Sequence, residues 1–164
     1  MLQLHPFLPA DWTHPANWVS NQDELTQFAG TEFQYPLDAK QIADFLKWPN
    51  HEVFKATWDG QVVGMAEVIY VGEKAARIGR VIIGEAAMRG KGLGGQLMTN
   101  LVAYIQTSLH RPTVRLYVFG GNKGAVRCYE KVGFVFTGQN TIEVKQGNEE
   151  WRALEMKWRN PPAN

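Results

Sequence analysis

Apolar positions recur along the chain in two rhythms. Leu93, Leu97, Met98, Leu101, Val102 and Ile105 repeat at the spacing of one helix face, and Pro112 stops that helix. Elsewhere the rhythm shortens to the alternation of strands. Residues 52–58 and 61–70 flank Asp59-Gly60, a dipeptide suited to a tight hairpin turn. Residues 77–84, rich in Ile and Val, make a third strand. Residues 113–118 alternate, with Val114, Leu116 and Val118 on one side. Residues 122–132 read as a short helix ended by Gly133. Its apolar stripe runs through Ala125, Val126, Tyr129 and Val132. A strand starts at Phe134–Thr137, extends toward Lys145, and turns at Gly147-Asn148 into a last strand, 149–159. There Leu154, Met156 and Trp158 are expected to face the core, and Glu155 and Lys157 the solvent. At the front, residues 2–5 form a short strand. Helical pieces follow near 12–28 and 38–48, punctuated by Pro36 and Pro49.

The order is β–αα–β–β–β–α–β–α–β–β. Strands joined by short turns run antiparallel; the pair joined by the 93–105 helix runs parallel. The fold class is therefore α/β (α+β): a mixed, mostly antiparallel sheet with one parallel pair, flanked by helices. A fully parallel doubly wound sheet does not follow.

Composition adds limits. The 164 residues suit one domain, expected over 1–160 with a tail at 161–164. Hydrophobic content of 45% and charged content of 20% are those of an ordinary soluble protein. A net charge of +1 gives no reason to expect nucleic acid or an anionic membrane as partner. Cys128, the one cysteine, excludes an internal disulfide and a Cys-rich metal site. His5, His14, His51 and His110 show no ligand spacing, so no metal is expected. No apolar run approaches the roughly 18 residues of a membrane helix, and the start resembles no secretory signal. A cytoplasmic monomer or homodimer is the expectation.

The richest segment is Arg89-Gly90-Lys91-Gly92-Leu93-Gly94-Gly95, at the mouth of the long helix. Glycines let a ligand approach the backbone, and a helix N-terminus offers unpaired N–H groups and partial positive charge. Together they suit a phosphate group. Residues 90, 92 and 95 also spell the dinucleotide pattern G-x-G-x-x-G. That pattern needs an acid about 20 residues on, and none stands between Glu85 and Glu130. The hairpins upstream also differ from a βαβ dinucleotide unit. From 86 to 129 every charge is positive: Arg89, Lys91, Arg111, Arg115, Lys123 and Arg127. Such a segment suits a pyrophosphate.

These residues resemble a family. Arg89 to Gly94 matches the [QR]-x-x-G-x-[GA] motif of the GNAT superfamily of N-acetyltransferases, between a strand and a long helix as in that family. Asn122, Ala125, Tyr129 and Gly133-Phe134 follow as its second signature. The likeness covers roughly 52–158. The stretch WVSNQDELTQFAG also resembles the branch containing ribosomal-protein N-terminal acetyltransferases.

The resemblance implies a GNAT-like sheet with its parallel pair splayed, and acetyl-CoA as co-substrate. Amides of Gly90, Lys91, Gly92, Leu93, Gly94 and Gly95 would cradle the pyrophosphate, with charge from Arg89 and Lys91. The Ile82-Ile83-Gly84 strand would pair with the pantetheine arm and supply an oxyanion N–H. Tyr129 would protonate the departing thiolate; the two groups have similar acidity. Asn122 would cap its helix and contact the pantetheine. Some family members carry a glutamate where this chain has Tyr117, so the base falls to Glu67 or water; Glu85 reads as a solvated side chain. Cys128 reads as a small buried residue, since direct transfer needs no acyl-enzyme. Trp12, Trp18, Phe28, Phe33, Tyr35, Phe45 and Trp48 crowd the segment expected to line the acceptor pocket, and Asp23 and Glu24 sit there as acids. The reading is direct acetyl transfer to a primary amine of a small molecule or protein N-terminus. The alternative is a non-catalytic acyl-CoA sensor on the same fold.

Overall fold

The structure is a computed structural model and describes residues 1–159. The expected tail at 161–164 lies outside the described residues. Seven strands form one sheet in the order β1-β2-β3-β4-β5-β7-β6. They are β1 (Gln3–Pro6), β2 (His51–Trp58), β3 (Gln61–Val71), β4 (Ala75–Ile83), β5 (Thr113–Phe119), β6 (Phe134–Gln146) and β7 (Glu149–Trp158). All pairings are antiparallel except β4 with β5. The helices are α1 (Thr13–Trp18), α2 (Gln22–Ala29), α3 (Ala39–Leu46), α4 (Leu93–Thr107) and α5 (Lys123–Val132). Among the described residues, no helix is long and apolar enough to cross a membrane.

The expected β2–β3 turn forms as its sequence requires: Asp59 and Gly60 both take positive φ, 50° and 77°. Two hydrophobic cores result, one on each side of the sheet. The first joins α4 to Ala76, Ile78, Val114 and Leu116. The second joins the α1–α3 lobe to Val53 and Met65, with Ile82 packed against it.

Two expectations change and one holds. The helix near 12–28 is broken into a 3-10 turn (Pro9–Trp12), α1 and α2. Val19 is extended, and Asn21 recaps the chain by accepting a hydrogen bond from the Glu24 amide at 2.8 Å. The strand from Phe134 extends past Lys145 to Gln146, as expected. Glu155 does not face solvent; it is 4% exposed. The pairing of β6 with β7 shifts between Phe136 and Thr141, and residues of that irregular stretch reach Glu155. Thr137 Oγ1 donates to its carboxylate at 2.8 Å and Asn140 Nδ2 at 3.1 Å.

Candidate active site

β4 and β5 are paired only from Ala75↔Thr113 to Ile78↔Leu116. Beyond that point β4 stays with β3 through Ile83↔Gly64, while β5 stays with β7 through Phe119↔Ala153. The two strands therefore part. The cleft of about 210 Å³ lined by β4 and β5 is also walled by the end of α2, by Asn122 and Tyr129, and by Ile142 and Val144 of β6.

The parting begins at an irregularity. Arg80 takes φ 46°, unusual for a side chain other than glycine, where the β3–β4 register shifts. Its guanidinium lies 5.2–5.6 Å from the ring centres of Phe33, Phe45 and Trp48. Its Nη1 donates to Glu67 Oε1 at 2.6 Å. His51 Nδ1 stands 2.5 Å from the other oxygen of Glu67, which is 1% exposed. Glu67 is thus a held, buried carboxylate. Gly79, its register partner on β4, lines the cleft, and a Cβ there would stand 3.5 Å from Glu67 Oε1.

The glycine loop leads into α4. Gly90 and Gly92 adopt φ 76° and 80°, and Gly92 is the N-cap of α4. Apart from the adjoining residues and the helix's own backbone, no atom lies within 4 Å of a Cβ built on Gly90, Gly92 or Gly95. Gly94 is closer packed, its Cβ position 3.3 Å from Cys128 Sγ on α5. Lys91 is exposed and Leu93 buried. Such a bare backbone at a helix N-terminus fits a pyrophosphate. Arg89 turns back on β4, where Nε donates to Ile83 O at 3.0 Å and Nη2 to Gly84 O at 3.3 Å. It ties the loop to the strand end.

Ile82 and Ile83 are half-buried and pair with Met65 and Gly64. Gly84 N donates to Val63 O at 2.8 Å. A Cβ on Gly84 would collide with the Trp18 indole at 1.9 Å, so the ring lies flat against this backbone. Glu85 is exposed and accepts from Trp18 Nε1 at 3.4 Å. Asn122 caps α5, accepting from Ala125 N at 3.3 Å. Tyr129 lines the cleft beside Phe134, and burial pushes its phenol up, toward the protonated form. Burial also raises the Cys128 thiol, which keeps it a weak nucleophile.

Sequence reasoning missed the floor of this cleft. Arg77 and Tyr117 line it, the Arg77 guanidinium 5.6 Å from the Tyr117 ring centre. Tyr117 OH donates to Glu155 at 3.4 Å. Their alternate spacing marked a polar strand face, which reads as solvated until the end of α2 and β6 cover it. On the acceptor side, Phe28 lines the cleft while Phe33 and Phe45 belong to the core. Asp23 and Glu24 are engaged: Asp23 accepts from Gln146 Nε2 at 2.9 Å and Glu24 from Ser20 N at 2.7 Å. Among the described residues, no group of three or more His, Cys, Asp or Glu is gathered as a metal site.

Comparison with known proteins bears on this geometry. A curated relative, acetyltransferase PseH of Campylobacter jejuni, is 25% identical over 118 residues, covering 70% of this chain and 71% of that protein. The fold is shared with spermidine N-acetyltransferase from Vibrio cholerae in complex with CoA and spermine: TM-score 0.77, 21% identity, 95% of this chain and 94% of that one. It is shared also with AAC(6')-Ib in complex with paromomycin and acetyl-CoA: TM-score 0.76, 20% identity, 97% and 93% covered. Residues 18–134 match the sequence model of the acetyltransferase (GNAT) family, and the chain belongs to that family of N-acetyltransferases.

Proposed function

We propose that this protein moves an acetyl group directly from acetyl-CoA to a primary amine held in the β4–β5 cleft. The parting of β4 and β5 beyond Ile78 and Leu116, with Tyr129 in the wall, carries this reading. The exposed edge of β4 suits an amide-bearing pantetheine arm as an added strand. The open loop from Gly90 to Gly95, with Arg89 and Lys91 beside it, suits the pyrophosphate.

In the step itself the amine nitrogen attacks the thioester carbonyl and the C–S bond breaks. Tyr129, which burial keeps protonated, gives its proton to the leaving thiolate. The amine proton passes through water to Glu67, whose Oε1 lies near Gly79 of the cleft lining. The acceptor is a small-molecule amine or a protein N-terminus. A thermal-shift panel tests the donor: ligand at 100 times its Kd adds about 2.7 kcal/mol. Acetyl-CoA and CoA are expected to stabilise the protein and NADPH to leave it unchanged; the reverse pattern refutes the assignment.

A further inference from the structure

The cleft carries charge of one sign. Its ionisable lining side chains, among the described residues, are Arg77, Arg80, Tyr117 and Tyr129, with no carboxylate. Behind Arg77 the sheet repeats the charge. Arg77 opposes Arg115 across β4 and β5, and Arg115 opposes Lys157 across β5 and β7. Register partners share a face, so three cations stand in a row across three strands. Like charges placed opposite one another cost stability. The row is therefore a feature that packing alone does not favour.

The nearby acids offset the row without bonding to it. Glu67 is bound by Arg80 and His51. Glu155 lies near Arg115 but is bonded to Thr137, Asn140 and Tyr117. The buried Nε of Arg115 has no partner. No ion pair within 4.0 Å reaches Arg77, Arg115 or Lys157 among the described residues. The donor does not explain these charges either. No residue from Arg89 to Gly95 lines the cleft, so the pyrophosphate cradle stands apart from Arg77.

We propose that the acceptor amine also carries an oxyanion group, a carboxylate or a phosphate, and that Arg77 binds that group on the cleft floor. Arg115 and Lys157 add field from the next two strands. A polyamine would meet like charge in the same place. The assignment names the acceptor class within the acetyl-transfer reading above, and so rests on it.

The test measures CoA release from acetyl-CoA with γ-aminobutyrate, phosphoethanolamine, butylamine and putrescine, for the wild type and Arg77→Gln. The two acids are expected to give higher kcat/KM than putrescine, and the better of them tells carboxylate from phosphate. Arg77→Gln is expected to lower kcat/KM for that acid about 10- to 100-fold, the loss of a hydrogen bond to a charged group, and to lower butylamine turnover far less. A structural role would lower every acceptor by one factor. Preference for putrescine, or equal loss on all acceptors, overturns the proposal. Release from no acceptor counts against acetyl transfer. Thermal protection of the CoA-saturated protein then decides the charge question alone. Protection by either acid over putrescine, lost in Arg77→Gln, upholds it; no such difference overturns it.

Discussion

Gly79 lines the cleft next to Glu67, and a Cβ there would lie 3.5 Å from Oε1. That distance is ordinary van der Waals contact, so Gly79→Ala fits the fold yet narrows the approach to the carboxylate. If Glu67 takes the amine proton, Glu67→Gln lowers kcat by about 100-fold or more. Gly79→Ala lowers it by a smaller factor with an unchanged Tm. Steady-state kinetics on both variants check this; unaltered kcat in the pair removes Glu67 from proton transfer.

Arg80 neutralises Glu67 in a nearly dry site and fills the space between Phe33, Phe45 and Trp48. Arg80→Ala strands a buried carboxylate, so about 3–5 kcal/mol of stability is expected to be lost. Urea unfolding reads the loss. Arg80→Met with Glu67→Gln, which removes both charges, is expected to recover most of it. Equal losses in the single and double variants would contradict the pairing.

The contact between Trp18 and Gly84 is steric. Gly84→Ala forces a methyl into the indole at 1.9 Å and is expected to cost about 1–3 kcal/mol. In a Trp18→Ala background the same change has no ring to meet and costs little. A double-mutant cycle by chemical denaturation measures the coupling. Additive losses would mean that the ring does not rest on this backbone.

Glu155 links stability to pH. Burial pushes its carboxyl up, but hydrogen bonds from Asn140 and Thr137, the Arg115 charge and the Tyr117 hydroxyl outweigh that and hold it below 4.5. A carboxyl lowered in the folded state stabilises the protein fully above its unfolded value. The contribution is lost as pH falls through the folded value. Glu155→Gln is therefore expected to flatten the acid limb of stability below about pH 4.5. Unfolding curves from neutral to acid pH check it; identical slopes would contradict it.

The same residue marks where sequence reading ends. Alternation along 149–159 correctly put Met156 in the core, because a strand's two faces are a local property. It assigned Glu155 to solvent because what covers the second face is not local: the irregular stretch of β6 arrives from residues 137–140. The long helix, the Asp59-Gly60 turn and the caps at Asn122 and Gly133 were legible, each resting on neighbours in sequence. The break at Val19 was not, since polar and aromatic residues at 12–28 fit one helix or two. Glu67 was visible as an acid on a strand. Its grip by Arg80 and His51 depends on register across three strands, which no single segment encodes.

The central claim turns on Tyr129. With acetyl-CoA and an accepted amine, Tyr129→Phe is expected to bind CoA as the wild type does while kcat falls by about 100-fold or more. Wild-type turnover in that variant, or no CoA release by the wild-type protein across a broad library of amines and peptides, would contradict acetyl transfer as described.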